Sequence, residues 1–101
     1  MKFLRLLGLG LCLTAAPLLA QITTSGFIAD PSSTVSVHAS TIVEAKAGLS
    51  AAWFGGAREG SSDVCIWFAR QEEGRWQRPV LVARGDEDGR TTYPTWNPVL
   101  F

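Results

Sequence analysis

Two segments that are apolar on both faces constrain the fold of this chain most strongly. Residues 49–54 and 63–70 are rich in β-branched and aromatic residues and are bounded by turn-forming residues, which predicts two strands. Side chains alternate across a strand, so Leu49 and Trp53 share one face of the first segment while Phe54 lies on the other. Antiparallel sheets usually leave one face to water. We therefore expect this sheet to lie between other sheets.

The remaining pattern predicts a meander of short strands. Four strands are predicted at residues 39–45, 49–54, 63–70 and 75–82, and residues 96–101 form a fifth. No helix is predicted after residue 20. Antiparallel meanders that are covered on both faces occur as the blades of β-propellers. The sequence thus predicts an all-β fold, with one four-stranded antiparallel blade and the first strand of the next blade, as a truncated part of a longer protein.

The first 20 residues have the layout of a secretory signal peptide. Lys2 and Arg5 form a basic head, residues 6–13 form a short apolar core, and small residues end at Ala20. The apolar core is too short to span a bilayer comfortably. We predict cleavage after Ala20, with Ala16 as the second choice, a secreted or periplasmic location, and no membrane span after cleavage. The predicted division is a signal peptide (residues 1–20), a polar lead-in segment (21–36) and a partial propeller domain (37–101).

Charge and cysteine content exclude several classes of protein. Cleavage leaves seven basic residues against nine acidic ones, which gives no electrostatic reason to expect a nucleic-acid partner. Cys65 then stands alone in an apolar strand, so we predict a buried thiol and no internal disulfide. Residues 86–89 are acidic but lack the downstream ligands of a calcium loop, which favours a solvated turn. No metal and no cofactor is predicted.

Several motifs occur in an order that is typical of one family. They are Gly55 and Gly56, then Asp63, then a degenerate Asp-box turn at residues 70–76, then Trp-Asn-Pro at residues 96–98. In this order they resemble the sialidase (neuraminidase) superfamily of six-bladed β-propellers with BNR/Asp-box repeats. The resemblance covers residues 37–101 and implies a secreted exo-glycosidase that acts on terminal acidic sugars of glycans.

The main departure from that family lies at His38. Active sialidases place an arginine near this point of the first inner strand, where it helps to bind the sugar carboxylate. An imidazole lacks the bidentate guanidinium fork, although it can exchange a proton near neutral pH. The resemblance therefore supports the fold more firmly than it supports sialic acid as the substrate.

Strand alternation predicts that the candidate site residues gather at one end of the meander. If the strands run alternately down and up, the start of the first strand, the loop after the second and the loop after the fourth share one edge. The predicted catalytic residues are His38, Glu59 and Asp63, and the predicted substrate-binding residues are Arg58, Trp96 and Asn97. A turn role for Asp63, a solvated loop position for Arg58 and a core position for Trp96 are the alternatives. Tyr93 is predicted to be structural.

Three functions remain open at this point. In a sialidase-type glycosidase, Asp63 would serve as the acid/base, with Glu59 as its rival. In a uronate-directed polysaccharide lyase on the same fold, His38 would take the proton and Arg58 would neutralise the developing charge. The third possibility is a glycan-binding propeller without catalysis. All three take a glycan or an acidic sugar as the partner.

Overall fold

The structure is a computed structural model that describes residues 21–29 and 34–101. The predicted signal peptide and residues 30–33 of the predicted lead-in segment lie outside the described residues. Residues 21–29 of the lead-in segment have no regular secondary structure. In the described part of the chain, no helix is long and apolar enough to cross a membrane.

The described residues form an antiparallel sheet, which confirms the all-β prediction. The strands are β1 (Ser36–Ala45), β2 (Gly48–Gly56), β3 (Cys65–Glu72), β4 (Arg75–Trp76), β5 (Val80–Asp86) and β6 (Thr92–Tyr93). Their order in the sheet is β1-β2-β3-β5-β6, and β4 also pairs with β3. The strands thus follow one another across the sheet in sequence order, with β4 and β5 both on the same side of β3, as expected for a meander.

The predicted fourth strand, residues 75–82, is divided into β4 and β5. Gln77, Arg78 and Pro79 separate the two strands, and proline has no N–H to donate to a ladder. Trp76 pairs with Gln71 and Val80 pairs with Phe68. The three residues between Trp76 and Val80 therefore lie opposite only the two residues of β3 between Phe68 and Gln71. The division is therefore a bulge within one strand path, and the Gln77 amide closes it by donating to the Arg70 carbonyl at 2.8 Å.

Two further strand predictions were wrong. The predicted loop after the fourth strand is shorter than expected, because β5 extends to Asp86 and the chain returns as β6, so that a hairpin forms. Residues 96–101 form no strand, because no neighbouring strand offers them a ladder. The Leu100 amide of this segment donates a 3.5 Å hydrogen bond to the side-chain Oγ1 of Thr41 in β1.

The core lies around β2, which is buried on both faces. On one face Ala51 and Trp53 pack with Ala69, and Ile28 and Ala29 of the lead-in segment cover them in part. We name this the lead-in face. At the centre of the sheet this face is therefore covered by the chain's own lead-in segment, where the sequence predicts another sheet.

The opposite face, named here the Phe54 face, is covered by the last residues of the chain. The ring of Phe54 meets the indole of Trp96, and Leu100 reaches Thr41 on the strand next to Ala52. Coverage of the two faces stops toward β1 and β5, named here the outer strands, where the large apolar side chains of Ile42 on the lead-in face and of Val80 and Val82 are more than half exposed. The outer strands thus retain the unpartnered apolar surface that the sequence predicts.

Candidate functional site

One edge of the sheet collects the predicted site residues. Ser36 pairs with Gly56, so β1 begins where β2 ends and the loop of residues 57–64 departs. Cys65 pairs with Arg84, so β3 begins and β5 ends at the same edge. We name this the site edge. The predicted shared position of His38 and the loop after the second strand is confirmed, while the roles of these residues remain predictions.

His38 is held by two neighbours on the Phe54 face. Its imidazole stacks on the ring of Phe54, with centroids 5.4 Å apart and an interplanar angle of 24°. Its Nε2 lies 2.8 Å from Oγ of Ser36, which is hydrogen-bonding distance. The imidazole remains exposed. An exposed ring that is fixed on one face and at one nitrogen can present its other nitrogen, Nδ1, to a ligand.

A bulge follows His38 directly in β1. His38 pairs with Phe54 and Thr41 pairs with Ala52, so Ala39 and Ser40 together face one residue of β2. Ala39 has a φ of 49°, a conformation that residues other than glycine rarely adopt. Bulges of this kind occur beside active sites, where they change the direction of a side chain. Here the bulge separates the His38 end of β1 from the rest of the strand.

Trp96 joins the Phe54 face to the loop of residues 57–64. Its indole meets Phe54 edge to face at 5.9 Å, and a methyl group added at Gly60 would lie 4.0 Å from its Cη2. Thr95 fixes the segment, because both its amide and its hydroxyl donate to the Val64 carbonyl, at 3.2 and 3.0 Å. The Trp96 side chain is still 55% exposed. It therefore offers an open aromatic surface next to the loop, and it shares the contact with Phe54 that His38 also makes.

Asp63 closes the loop in which it lies. Its Oδ2 accepts a 2.9 Å hydrogen bond from the Ala57 amide, across six residues. The Ser61 hydroxyl, and after it the Ala57 amide, hold the pKa of the Asp63 carboxyl below its ordinary value, because both stabilise the charged form. A general acid must carry a proton when the substrate binds, whereas these hydrogen bonds favour the charged carboxylate. The geometry thus favours the turn role for Asp63 over that of proton donor.

The other loop candidates are exposed. Arg58, Glu59 and Asn97 are all exposed, and among the described residues none of their side chains forms a recorded hydrogen bond or ion pair. The Arg58 carbonyl accepts a bond from the Ser61 amide, which holds the loop backbone. A cation and a carboxylate are therefore available side by side in the loop next to Trp96.

Sequence reasoning missed Ser36, Phe54 and Arg84 as residues of the site edge. Ser36 supports His38 from two residues earlier in β1, a spacing that places both side chains on one strand face and could have been noticed. The sequence identifies Phe54 only as a member of one apolar strand face. Arg84 lines a small cleft at the same edge with Ser62, Asp63 and Thr92. Only the strand register brings Arg84 there.

The described residues contain no group of three or more His, Cys, Asp or Glu side chains that could hold a metal ion. In the acidic segment, Oδ1 of Asp88 accepts the amides of Arg90 and Thr91 at 2.9 and 2.7 Å. These bonds lower the pKa of the Asp88 carboxyl, the Thr91 amide being the larger cause. Residues 86–89 therefore form the predicted turn. The predicted buried thiol is also confirmed, since Cys65 is 6% exposed and free.

A four-stranded antiparallel meander with an apolar layer on each face is consistent with one blade of a β-propeller. A family model described as a BNR repeat-like domain matches residues 47–101, which is more than half of the chain. The chain therefore belongs to the BNR repeat-like domain family, and the resemblance to the sialidase and BNR repeat superfamily is confirmed. The matched range includes the loop of residues 57–64 and Trp96 but not His38. No curated protein and no solved structure matches the chain.

Proposed function

We propose that this chain supplies the first blade of a secreted, sialidase-like propeller that hydrolyses terminal acidic sugars of glycans. The observation that carries the proposal is the open indole of Trp96, which lies beside the loop with Arg58 and Glu59 at the site edge of a BNR repeat-like domain. Further blades would pack on the exposed apolar side chains of the outer strands. They would also complete the site.

The exposed groups at the site edge suit an acidic sugar. The flat, apolar face of a sugar ring can pack on the Trp96 indole. The Arg58 guanidinium can bind a carboxylate through two parallel hydrogen bonds, and Asn97 can bind sugar hydroxyls through its amide. Together these groups can bind the ring, the carboxylate and the hydroxyls of an acidic sugar beside the loop of residues 57–64.

Glu59 is the better candidate than Asp63 for the proton-transferring carboxyl. The Asp63 carboxylate is engaged with the Ala57 amide, whereas Glu59 is exposed and has no recorded partner among the described residues. In the hydrolysis, Glu59 gives its proton to the leaving oxygen as the glycosidic bond breaks. Water then adds its hydroxyl to the anomeric carbon and its proton returns to Glu59. Asp63 holds the loop during this exchange.

The experiment compares variants of the full-length protein on acidic glycosides that carry poor leaving groups. We expect Glu59→Gln to reduce kcat by roughly 100-fold, in the usual range for loss of a general acid. Glu73→Gln is the matched control, because Glu73 lies in the turn between β3 and β4 at the opposite edge. Equal activity of the two variants would reject Glu59 as the acid, and absence of sugar release from any acidic glycoside would reject the hydrolase.

A uronate lyase is the second candidate, and the exposed imidazole of His38 favours it. Here Nδ1 takes the proton from C5 of a uronate, and the C5–H electron pair forms the C4–C5 double bond as the C4–O bond breaks. The leaving oxygen takes a proton from water, and Arg58 neutralises the charge on the carboxylate. His38→Ala should abolish the ultraviolet absorbance of the unsaturated product. Undiminished absorbance in that variant would reject the lyase.

We also propose that the protein is exported and that residues 1–20 are removed. The basic head, the short apolar core and Ala20 support this proposal. N-terminal sequencing of exported protein should find Gln21 first. A mature chain that still begins at Met1 would contradict the proposal.

A further inference from the structure

We propose that Ser36 is a positioning residue, whose hydroxyl holds Nε2 of His38 and leaves Nδ1 as the nitrogen that accepts a proton from the glycan. The proposal rests on the site edge being the glycan site, and its chemistry belongs to the lyase reaction. It concerns a residue outside the matched range of the family model.

The contact between Ser36 and His38 follows from the geometry of β1. The two residues are separated by one position, so their side chains lie on the same face of the strand. The Oγ–Nε2 distance of 2.8 Å is short enough for a well-formed hydrogen bond. Both residues are paired in the ladder, Ser36 with Gly56 and His38 with Phe54, but Ser36 is half-buried whereas His38 is exposed. The better fixed residue therefore orients the freer one.

Phe54 restricts the imidazole from a second direction. Its ring is 2% exposed, so it cannot move aside, and the imidazole lies nearly parallel to it at 5.4 Å. The stacking fixes the plane of the imidazole, and the bond to Ser36 fixes its rotation within that plane. Together they determine where Nδ1 lies.

A serine hydroxyl can accept a hydrogen bond from Nε2–H or donate one to bare Nε2, and we assign the accepting role to Ser36. A neutral imidazole carries one proton, on either Nδ1 or Nε2. When Ser36 accepts the Nε2–H, Nδ1 keeps a lone pair and can act as a base. After Nδ1 has taken a proton, Nε2–H still donates to Ser36, so the hydrogen bond persists through the transfer. The Ser36 hydroxyl thus accepts the Nε2–H hydrogen bond both when the imidazole is neutral and after it has become a cation.

The test measures the tautomer and the reaction separately in the full-length protein. Nitrogen-15 NMR reports which ring nitrogen carries the proton, and loss of a signal in His38→Gln assigns it. We expect Nε2–H in the wild type, a mixed population in Ser36→Ala, and restoration in Ser36→Thr.

With a uronate polymer, kcat should fall roughly fivefold to tenfold in Ser36→Ala with little change in KM, as expected for one lost hydrogen bond. Ser36→Thr should restore it.

Ser50→Ala is the matched control, because Ser50 lies in β2 toward the opposite edge, paired with Val43 and Arg70. An unchanged tautomer population in Ser36→Ala would overturn the proposal whatever the activity. A changed tautomer with unchanged kcat, on a substrate whose turnover requires His38, would overturn it as well. Full activity of His38→Ala would reject the lyase instead, while the NMR result would still decide whether Ser36 selects the tautomer.

Discussion

At the scale of single residues, Asp63 combines a loop contact with a charge. Its carboxylate accepts the Ala57 amide, and its folded pKa lies below the ordinary value of about 3.9. A depressed folded pKa means that the charged form stabilises the fold. That contribution is present above about pH 4 and is lost as the pH falls through the folded pKa. Asp63 should thus make the loop sensitive to acid.

We expect Asp63→Asn to weaken the dependence of stability on pH between about pH 5 and pH 2. The amide oxygen of asparagine can still accept the Ala57 N–H, so the loop should remain folded while its charge is lost. The measurement is urea unfolding of the intact protein across this range. Asp86→Asn is the control, since the Asp86 side chain forms no recorded hydrogen bond in the described part of the chain. Identical acid sensitivity of wild type and Asp63→Asn would contradict the prediction.

Ala39 carries a different local cost, in its backbone. The left-handed region raises the free energy of a residue with a Cβ by about 1–2 kcal/mol, and Ala39 has a φ of 49°. Ala39→Gly should therefore stabilise the protein by roughly 0.5–1 kcal/mol, because the relief exceeds the added freedom of the unfolded chain. Ala45→Gly, at the other end of β1, should destabilise it by a similar amount. Chemical unfolding checks both, and equal losses would contradict the assigned strain.

The sequence alone predicts most of the site candidates but not how they meet. Motif order and strand alternation place His38 and Asp63 at one edge, as the register confirms. The pairing of Asp63 with the Ala57 amide depends on the conformation of the loop, which no periodic pattern encodes. The position of Trp96 over Phe54 likewise depends on how residues 94–101 return across the sheet. Contacts of this kind follow from tertiary packing rather than from local preference.

At the scale of elements, β1 to β3 were predictable because each contains β-branched, aromatic or small apolar residues between turn-forming residues. The fourth strand was less so, since Pro79 breaks the ladder while the residues on both sides still pair with β3. The sequence of residues 96–101 is suited to a strand, yet a strand exists only where a neighbour supplies hydrogen bonds. Local sequence determines the preference, and the available partner determines the outcome.

The β5–β6 hairpin depends on one glycine. A Cβ at Gly85 would overlap the carbonyl oxygen of Tyr93, its partner in the ladder. Gly85→Ala should therefore separate the hairpin and cost about 1–3 kcal/mol, as expected for overpacking. Hydrogen exchange should accelerate at the amides of residues 85–93.

The control for this hairpin prediction is Gly26→Ala. A Cβ at Gly26 would have no neighbour within 4 Å, so the exchange of β5 and β6 should not change. If both variants kept the wild-type exchange rates, the close approach of Gly85 to Tyr93 would not determine the stability of the hairpin.

At the scale of the whole molecule, the sheet is covered on both faces at its centre and exposes apolar side chains toward its edges. Residues of β2 are buried on both faces, whereas Ile42 on one outer strand and Val80 and Val82 on the other are each exposed by more than half. Among the described residues no strand pairs with the second edge of β1, so its backbone groups there have no ladder partner in this part of the chain. A propeller supplies neighbouring blades at such surfaces. In isolation, the same surfaces favour association.

We therefore expect residues 21–101 expressed alone to aggregate or to remain partly unfolded. The exposed apolar side chains of β5 and the segment with Trp96 and Phe101 would associate between molecules, because no neighbouring blade covers them. Light scattering and thermal unfolding measure the outcome. Val80→Thr combined with Val82→Thr should reduce the aggregation, since it removes apolar surface while keeping the β-branched shape. A soluble monomer of the unsubstituted segment with a cooperative thermal transition would show instead that β2 and its two covering segments suffice as a core.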